Sequence, residues 1–166
     1  MILVSCERNC QPESRLPRDP AALDLPQFVP FRLNRLAVAV SEYLSAIYRD
    51  RFGLGIPEWR VLVTVGPRRG CTAQYIAAST RMHKTRVSRA VAALARRGCI
   101  TRAVSKDDAR EVRLELTPAG RRIYAALVPL ALERERTLLS TLDPQQRRAF
   151  LQGIAHLEAH LGLTSE

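Results

Sequence analysis

The chain is 166 residues long, 46% hydrophobic and 25% charged, a balance that fits an ordinary globular domain and excludes a disordered or fibrous one. Aromatic residues make up only 5%, which favours helix over sheet, and 26 Lys and Arg against 16 Asp and Glu leave a formal charge of +10 that points to a polyanionic partner. No run of about 18 apolar residues is present to cross a bilayer, and the N-terminus lacks the basic-then-apolar order of a secretory signal, so a cytoplasmic protein is expected.

Residues 1–30 carry Pro12, Pro17, Pro20, Pro26 and Pro30 without apolar periodicity, which predicts a flexible N-terminal arm. From there Phe31, Leu33, Leu36, Val40, Tyr43, Leu44, Ile47 and Tyr48 recur at three- and four-residue spacing. That pattern predicts a helix of about five turns, ended by Gly53 and Gly55. Pro57 suits the first turn of a second helix, whose buried side is expected at Trp59, Leu62 and Val63. Thr72 caps a short third helix running through Ile76 to about Ser79. After a tight link at Thr80 to Met82, a fourth helix has Val87, Val91 and Leu94 as its inward row, with Ala90 and Ala95, and stops at Gly98.

Beyond Gly98 the period becomes two. Ile100 and Arg102 precede a polar stretch, Ser105 to Arg110, and Val112, Leu114 and Leu116 then alternate with Arg113 and Glu115, which predicts a hairpin with a projecting tip. Thr117 and Pro118 open a fifth helix to about Leu139, in which Pro129 predicts a kink; Asp143, Pro144 and Gln146 open a last helix ending near Leu161. The fold class is therefore mostly α, with one small hairpin.

Two short helices, a tight turn and a basic hairpin make a winged helix-turn-helix, whose second helix enters the major groove of DNA. The charge sits where this fold needs it. Between Arg81 and Arg122 there are twelve Lys and Arg against four Asp and Glu, so +8 of the +10 lies in one quarter of the chain. With Val87, Val91 and Leu94 turned inward, Lys84, Thr85, Ser88 and Arg89 project from the N-terminal half of the fourth helix, where hydroxyls and guanidinium groups suit phosphates and base edges.

The run Lys84-Thr85-Arg86-Val87-Ser88-Arg89-Ala90-Val91, then Arg96-Arg97-Gly98-Cys99-Ile100, then Asp107-Asp108-Ala109-Arg110-Glu111-Val112-Arg113-Leu114-Glu115-Leu116-Thr117-Pro118-Ala119-Gly120 resembles the MarR family of transcriptional regulators. The resemblance covers about Phe31 to Leu161. Its DNA-binding residues would be Lys84, Thr85, Arg86, Ser88 and Arg89 on the recognition helix, with Arg110 at the wing tip in the minor groove and Asp108 orienting it. Cys99 stands where the family usually has Leu. The proline-rich arm is a departure from the family's pattern.

The resemblance further implies a cytoplasmic homodimer that represses transcription from a palindromic operator and is released by a small effector. On this reading residues 31–55 and 117–163 are dimerisation helices and 56–116 the DNA-binding lobe. Composition agrees: Leu127, Leu130, Leu138, Leu139, Leu142, Phe150, Leu151, Ile154, Leu157 and Leu161 exceed what a small basic lobe can cover. The effector pocket implied by the family would draw on Arg32, Tyr43, Trp59 and Arg60, with Leu36, Ile47 and Val63 nearby. An aromatic ring beside an arginine suits an aromatic acid or its coenzyme A thioester, and the Phe31 to Val65 stretch resembles regulators of hydroxycinnamate breakdown.

No enzyme is expected, because His83, His156 and His160 sit near no Cys or acidic cluster of diagnostic spacing. No cofactor or metal is expected either; His156 and His160, four apart, read as solvated. Cys71 and Cys99 read as small core residues. Cys6 and Cys10 in the arm leave open a thiol-based redox-sensing repressor, and a passive nucleoid-type binder is a third class that would show no preference for a palindrome.

Overall fold

The computed structural model describes residues 23–68, 70–104 and 112–163 and divides into two units, 1–38 and 39–166. In the first unit, the N–H groups of Gln27 and Phe28 close on the Asp24 carbonyl, both at 3.0 Å, and lead into helix α1, Val29–Phe52. Pro30 lies in the first turn of α1, where its missing N–H would have had no helical partner, so order begins on the N-terminal side of Phe31. The Arg35 guanidinium lies 5.6 Å from the centre of the Phe31 ring.

The second unit takes α1 from Ala39 onward, then α2 (Ile56–Val65), β1 (Cys71–Thr72), α3 (Ala73–Thr80), α4 (Lys84–Arg96), β2 (Ile100–Val104), β3 (Val112–Leu116), α5 (Pro118–Leu139) and α6 (Pro144–His160). Its core joins Leu54, Val61, Leu62 and Val65 to Ile76, Val87, Val91, Leu94, Leu114 and Leu116, all buried. The inward row of α2 is thus Val61, Leu62 and Val65, which pack toward α4. Trp59 and Val63, expected there, are half-buried on its flank.

The caps fall where the sequence places them. Thr72 Oγ1 accepts from the Tyr75 N–H at 3.0 Å to start α3, and the Asp143 carboxylate accepts from the N–H groups of Gln145 and Gln146, both at 2.8 Å, to start α6. The link between α3 and α4 is Arg81 to His83, one residue later than expected, because Thr80 is still helical.

The hairpin gains a third strand. β3 pairs antiparallel with β2, Ile100 opposite Leu116, and on its other edge with β1, Cys71 opposite Leu114, giving the order β1-β3-β2. A tight corner joins this sheet to α5. The Thr117 hydroxyl donates to the Gly98 carbonyl at 2.6 Å and accepts from the Gly120 N–H at 3.1 Å, and the Thr117 N–H donates to the Cys99 carbonyl. A Cβ on Gly120 would lie 2.0 Å from that Cys99 carbonyl oxygen, so the corner admits only glycine without moving backbone.

α5 runs unbroken through Pro129. Leu127 is fully buried inside the chain and so does not belong to the apolar surplus in which composition alone places it. Leu130, Leu138, Leu139 and Leu142 are half-buried, and no residue of α6 is buried at all. Among the described residues no helix is long and apolar enough to cross a membrane.

Candidate nucleic-acid interface

α4 is fixed from behind. Val87, Ala90, Val91 and Leu94 are all buried, against α2, α3 and β2, which leaves Lys84, Thr85, Arg86, Ser88 and Arg89 exposed. At 3.6 residues per turn, Thr85, Arg89 and Arg96 lie opposite the buried row, with Ser88 on one flank and Arg86 on the other. None of the five exposed side chains makes a hydrogen bond or ion pair among the described residues. Three cations therefore surround the positive end of a helix with nothing among the described residues to compensate them, an arrangement that draws anions.

Two features at this end are not legible from usual signals. His83 is the N-cap of α4, its Nδ1 accepting from the Thr85 N–H at 3.3 Å, although histidine is not a favoured cap. Arg81, exposed, closes α3 in the left-handed conformation with φ 53°. Behind them, β2 carries Arg102 exposed and β3 carries Arg113 half-buried. The wing tip, with Asp108 and Arg110, lies outside the described residues.

Not all of the basic quarter faces outward. Arg97 donates to the carbonyls of Phe52 at 2.5 Å and Gly53 at 2.9 Å, satisfying the C-terminal end of α1, so this arginine serves the fold.

Residues 52–111, from the end of α1 into the wing, match the MarR family. Over that stretch the chain is similar to the MarR family, and its fold is a winged helix-turn-helix. Solved structures agree along most of its length. A MarR/EmrR family transcriptional regulator from Acinetobacter sp. ADP1 is 24% identical, covers 86% of this chain and 100% of its own, and superposes with a TM-score of 0.76. A MarR family transcriptional regulator from Silicibacter pomeroyi is 25% identical over 86% of this chain and 95% of its own, with a TM-score of 0.69. CouR from Rhodococcus jostii RHA1, solved bound to p-coumaroyl-CoA, is 18% identical over 87% of this chain and 99% of its own, with a TM-score of 0.74. No curated protein matches the chain.

The residues that the MarR resemblance assigns to an effector are distributed over both units. Arg32 is exposed on α1 in the first unit. In the second, Trp59 stacks on Tyr48, ring centres 5.4 Å apart and planes 11° from parallel. Burial pushes the Tyr48 phenol up from its ordinary range, against the opposing charges of Arg60 and Arg49, so Arg60 shares this cluster. Tyr48 is the partner that sequence reasoning missed. Tyr43 instead lies under the Arg134 guanidinium of α5, 4.4 Å from the ring centre. An open cleft of about 370 Å³ lies between α1, at Ala46, Ile47, Asp50 and Arg51, and α5, at Leu130, Glu133, Arg134 and Thr137.

Cys71 and Cys99 are buried free thiols, and burial pushes the Cys71 thiol up despite the nearby charge of Arg68. Cys6 and Cys10 lie outside the described residues. His156 and His160 stand on exposed α6, and among the described residues no three metal-binding groups converge.

Proposed function

We propose that this MarR-type regulator is a homodimeric repressor of a palindromic operator, released by a small aromatic acid or its coenzyme A thioester. The uncompensated exposed face of α4 carries the reading: Lys84, Thr85, Arg86, Ser88 and Arg89, held outward by a fully buried opposite row. In this assignment Lys84, Thr85, Arg86 and Ser88 hold phosphates, Arg89 reads a base edge, and Arg110, oriented by Asp108, enters the minor groove. The exposed apolar residues of α6, Phe150, Leu151, Ile154 and Leu157, support the homodimer, and a two-fold dimer presents its recognition helices to half-sites about 10 base pairs apart.

For the effector, the support is the Tyr48–Trp59 stack with Arg60 beside it. A flat apolar ring with an anionic end suits such a set, and CouR shows this fold holding p-coumaroyl-CoA. Release then follows from linkage: the inducer weakens operator binding by the same factor by which the operator weakens inducer binding, typically about 1–3 kcal/mol.

Footprinting on the DNA upstream of the protein's own gene tests the reading, with and without aromatic acids and their thioesters. Protection of an inverted repeat is expected, lost on adding the inducer. Arg89→Ala should relax base preference at one half-site position by about 1–3 kcal/mol, whereas Arg110→Ala should weaken binding uniformly. Equal losses on matched and scrambled operators would defeat these roles. Loss of DNA affinity to peroxide alone, with no compound bound in calorimetry, would favour the Cys6 or Cys10 thiol sensor.

A further inference from the structure

Two positions in the α3–α4 turn carry basic side chains where the backbone favours something else. Arg81 is the one non-glycine residue of positive φ among the described residues, at 53°. A side chain with a Cβ is strained there, and glycine or asparagine is the usual occupant of a helix end of this form. Its own N–H reaches the Ala78 carbonyl only at 3.4 Å. Its side chain is exposed and makes no hydrogen bond, ion pair or ring contact among the described residues, so none of these offsets the strain. Two residues on, His83 holds the N-cap of α4 through a 3.3 Å bond where serine or aspartate would cap more strongly. The turn gives up conformational stability at one position and capping strength at the other. At both it gains a basic group beside Lys84 and Arg86.

We propose that Arg81 is a phosphate-binding residue of the DNA interface, gripping the backbone at the edge of the groove that α4 enters. The proposal rests on the DNA-binding reading above and adds to it a residue outside the recognition helix. A purely structural role makes the opposite prediction. If Arg81 were there to complement the negative end of α3, removing it would destabilise the fold. If it is there for DNA, glycine should stabilise the fold and weaken binding together.

The test uses the full chain, with Arg81→Gly, Arg81→Lys and Arg89→Ala beside it, melted by circular dichroism. Each is titrated by fluorescence anisotropy onto a labelled 30-base-pair duplex of mixed sequence, over a range of salt concentrations. R81G is expected to melt about 2–4 °C higher. It should bind about 3–10-fold more weakly at 0.1 M salt, with the slope of log K against log salt reduced by about 0.9 for each arginine engaged. R81K should keep the slope. If R81G keeps both affinity and slope while R89A loses affinity, the Arg81 assignment is overturned and the DNA-binding reading stands. A lower melting temperature with unchanged binding likewise overturns it in favour of the α3 role. Failure of the unaltered protein to bind any duplex overturns both.

Discussion

α4 and α6 are both amphipathic helices with apolar residues at three- and four-residue spacing, yet they meet opposite fates in the single chain. Val87, Ala90, Val91 and Leu94 on α4 are 0–3% exposed, while Phe150, Leu151, Ile154 and Leu157 on α6 are 36–47% exposed. A periodic stripe states that a helix needs a partner; it does not say where the partner is. For α4 the partners are α2, α3 and the sheet, so its outer face is fixed rigidly enough to serve recognition. For α6 the described residues leave every position unburied, and a second copy is the cover proposed above.

The largest expected effect breaks the α4 side of this contrast. Leu94→Ala leaves a cavity in a fully buried site and should destabilise by about 2–5 kcal/mol, by the same amount at every protein concentration in urea unfolding. Ile154→Ala tests the other side. It should remove about 1–2 kcal/mol of apolar burial, seen only as weaker self-association in sedimentation equilibrium and as a melting temperature that depends on concentration. If Ile154→Ala destabilised dilute, monomeric protein as much as Leu94→Ala, α6 would be part of the intrachain core and the contrast would fail.

Local signals in the sequence locate what local physics decides. The caps at Thr72, Thr117 and Asp143 are side-chain bonds within three residues, and the α4 stripe and the β2–β3 alternation repeat within one element, so each is legible by inspection. What escapes is non-local. β1 has two residues, too few to show alternation, and exists only because Cys71 meets Leu114 across the fold. The Tyr48–Trp59 stack joins two helices, and its pairing follows from how α1 and α2 cross rather than from spacing. Counting charge treats Arg97 as one more surface cation, whereas the fold uses it against α1 carbonyls contributed from far along the chain. At the recognition face, the sequence pattern exposes Lys84, Thr85, Ser88 and Arg89. It is blind to Arg81 and His83, because their positions are defined by a left-handed φ and a cap that neither residue type advertises.

The smallest expected effect concerns alkaline pH and again separates the two regions. Burial raises both the Tyr48 phenol and the Cys71 thiol, so the folded chain holds these protons more tightly than the unfolded one. The unfolded chain therefore loses protons first as pH rises, and stability falls with pH. Below the ordinary thiol and phenol ranges, about 8.5 and about 10, the full contribution is present; above them it drains away up to the raised folded values. A decline in melting temperature of about 1–3 °C is expected between about pH 8 and pH 10. Tyr48→Phe and Cys71→Ala, which remove the titrating groups, should flatten it. Neither group lies on α6, so the self-association constant, measured by sedimentation over the same range, should not follow that profile. If the two curves fell together and both variants flattened both, then Tyr48 and Cys71 would report on the surface that α6 presents. The division between a self-sufficient lobe and a helix awaiting its partner would then have to be redrawn.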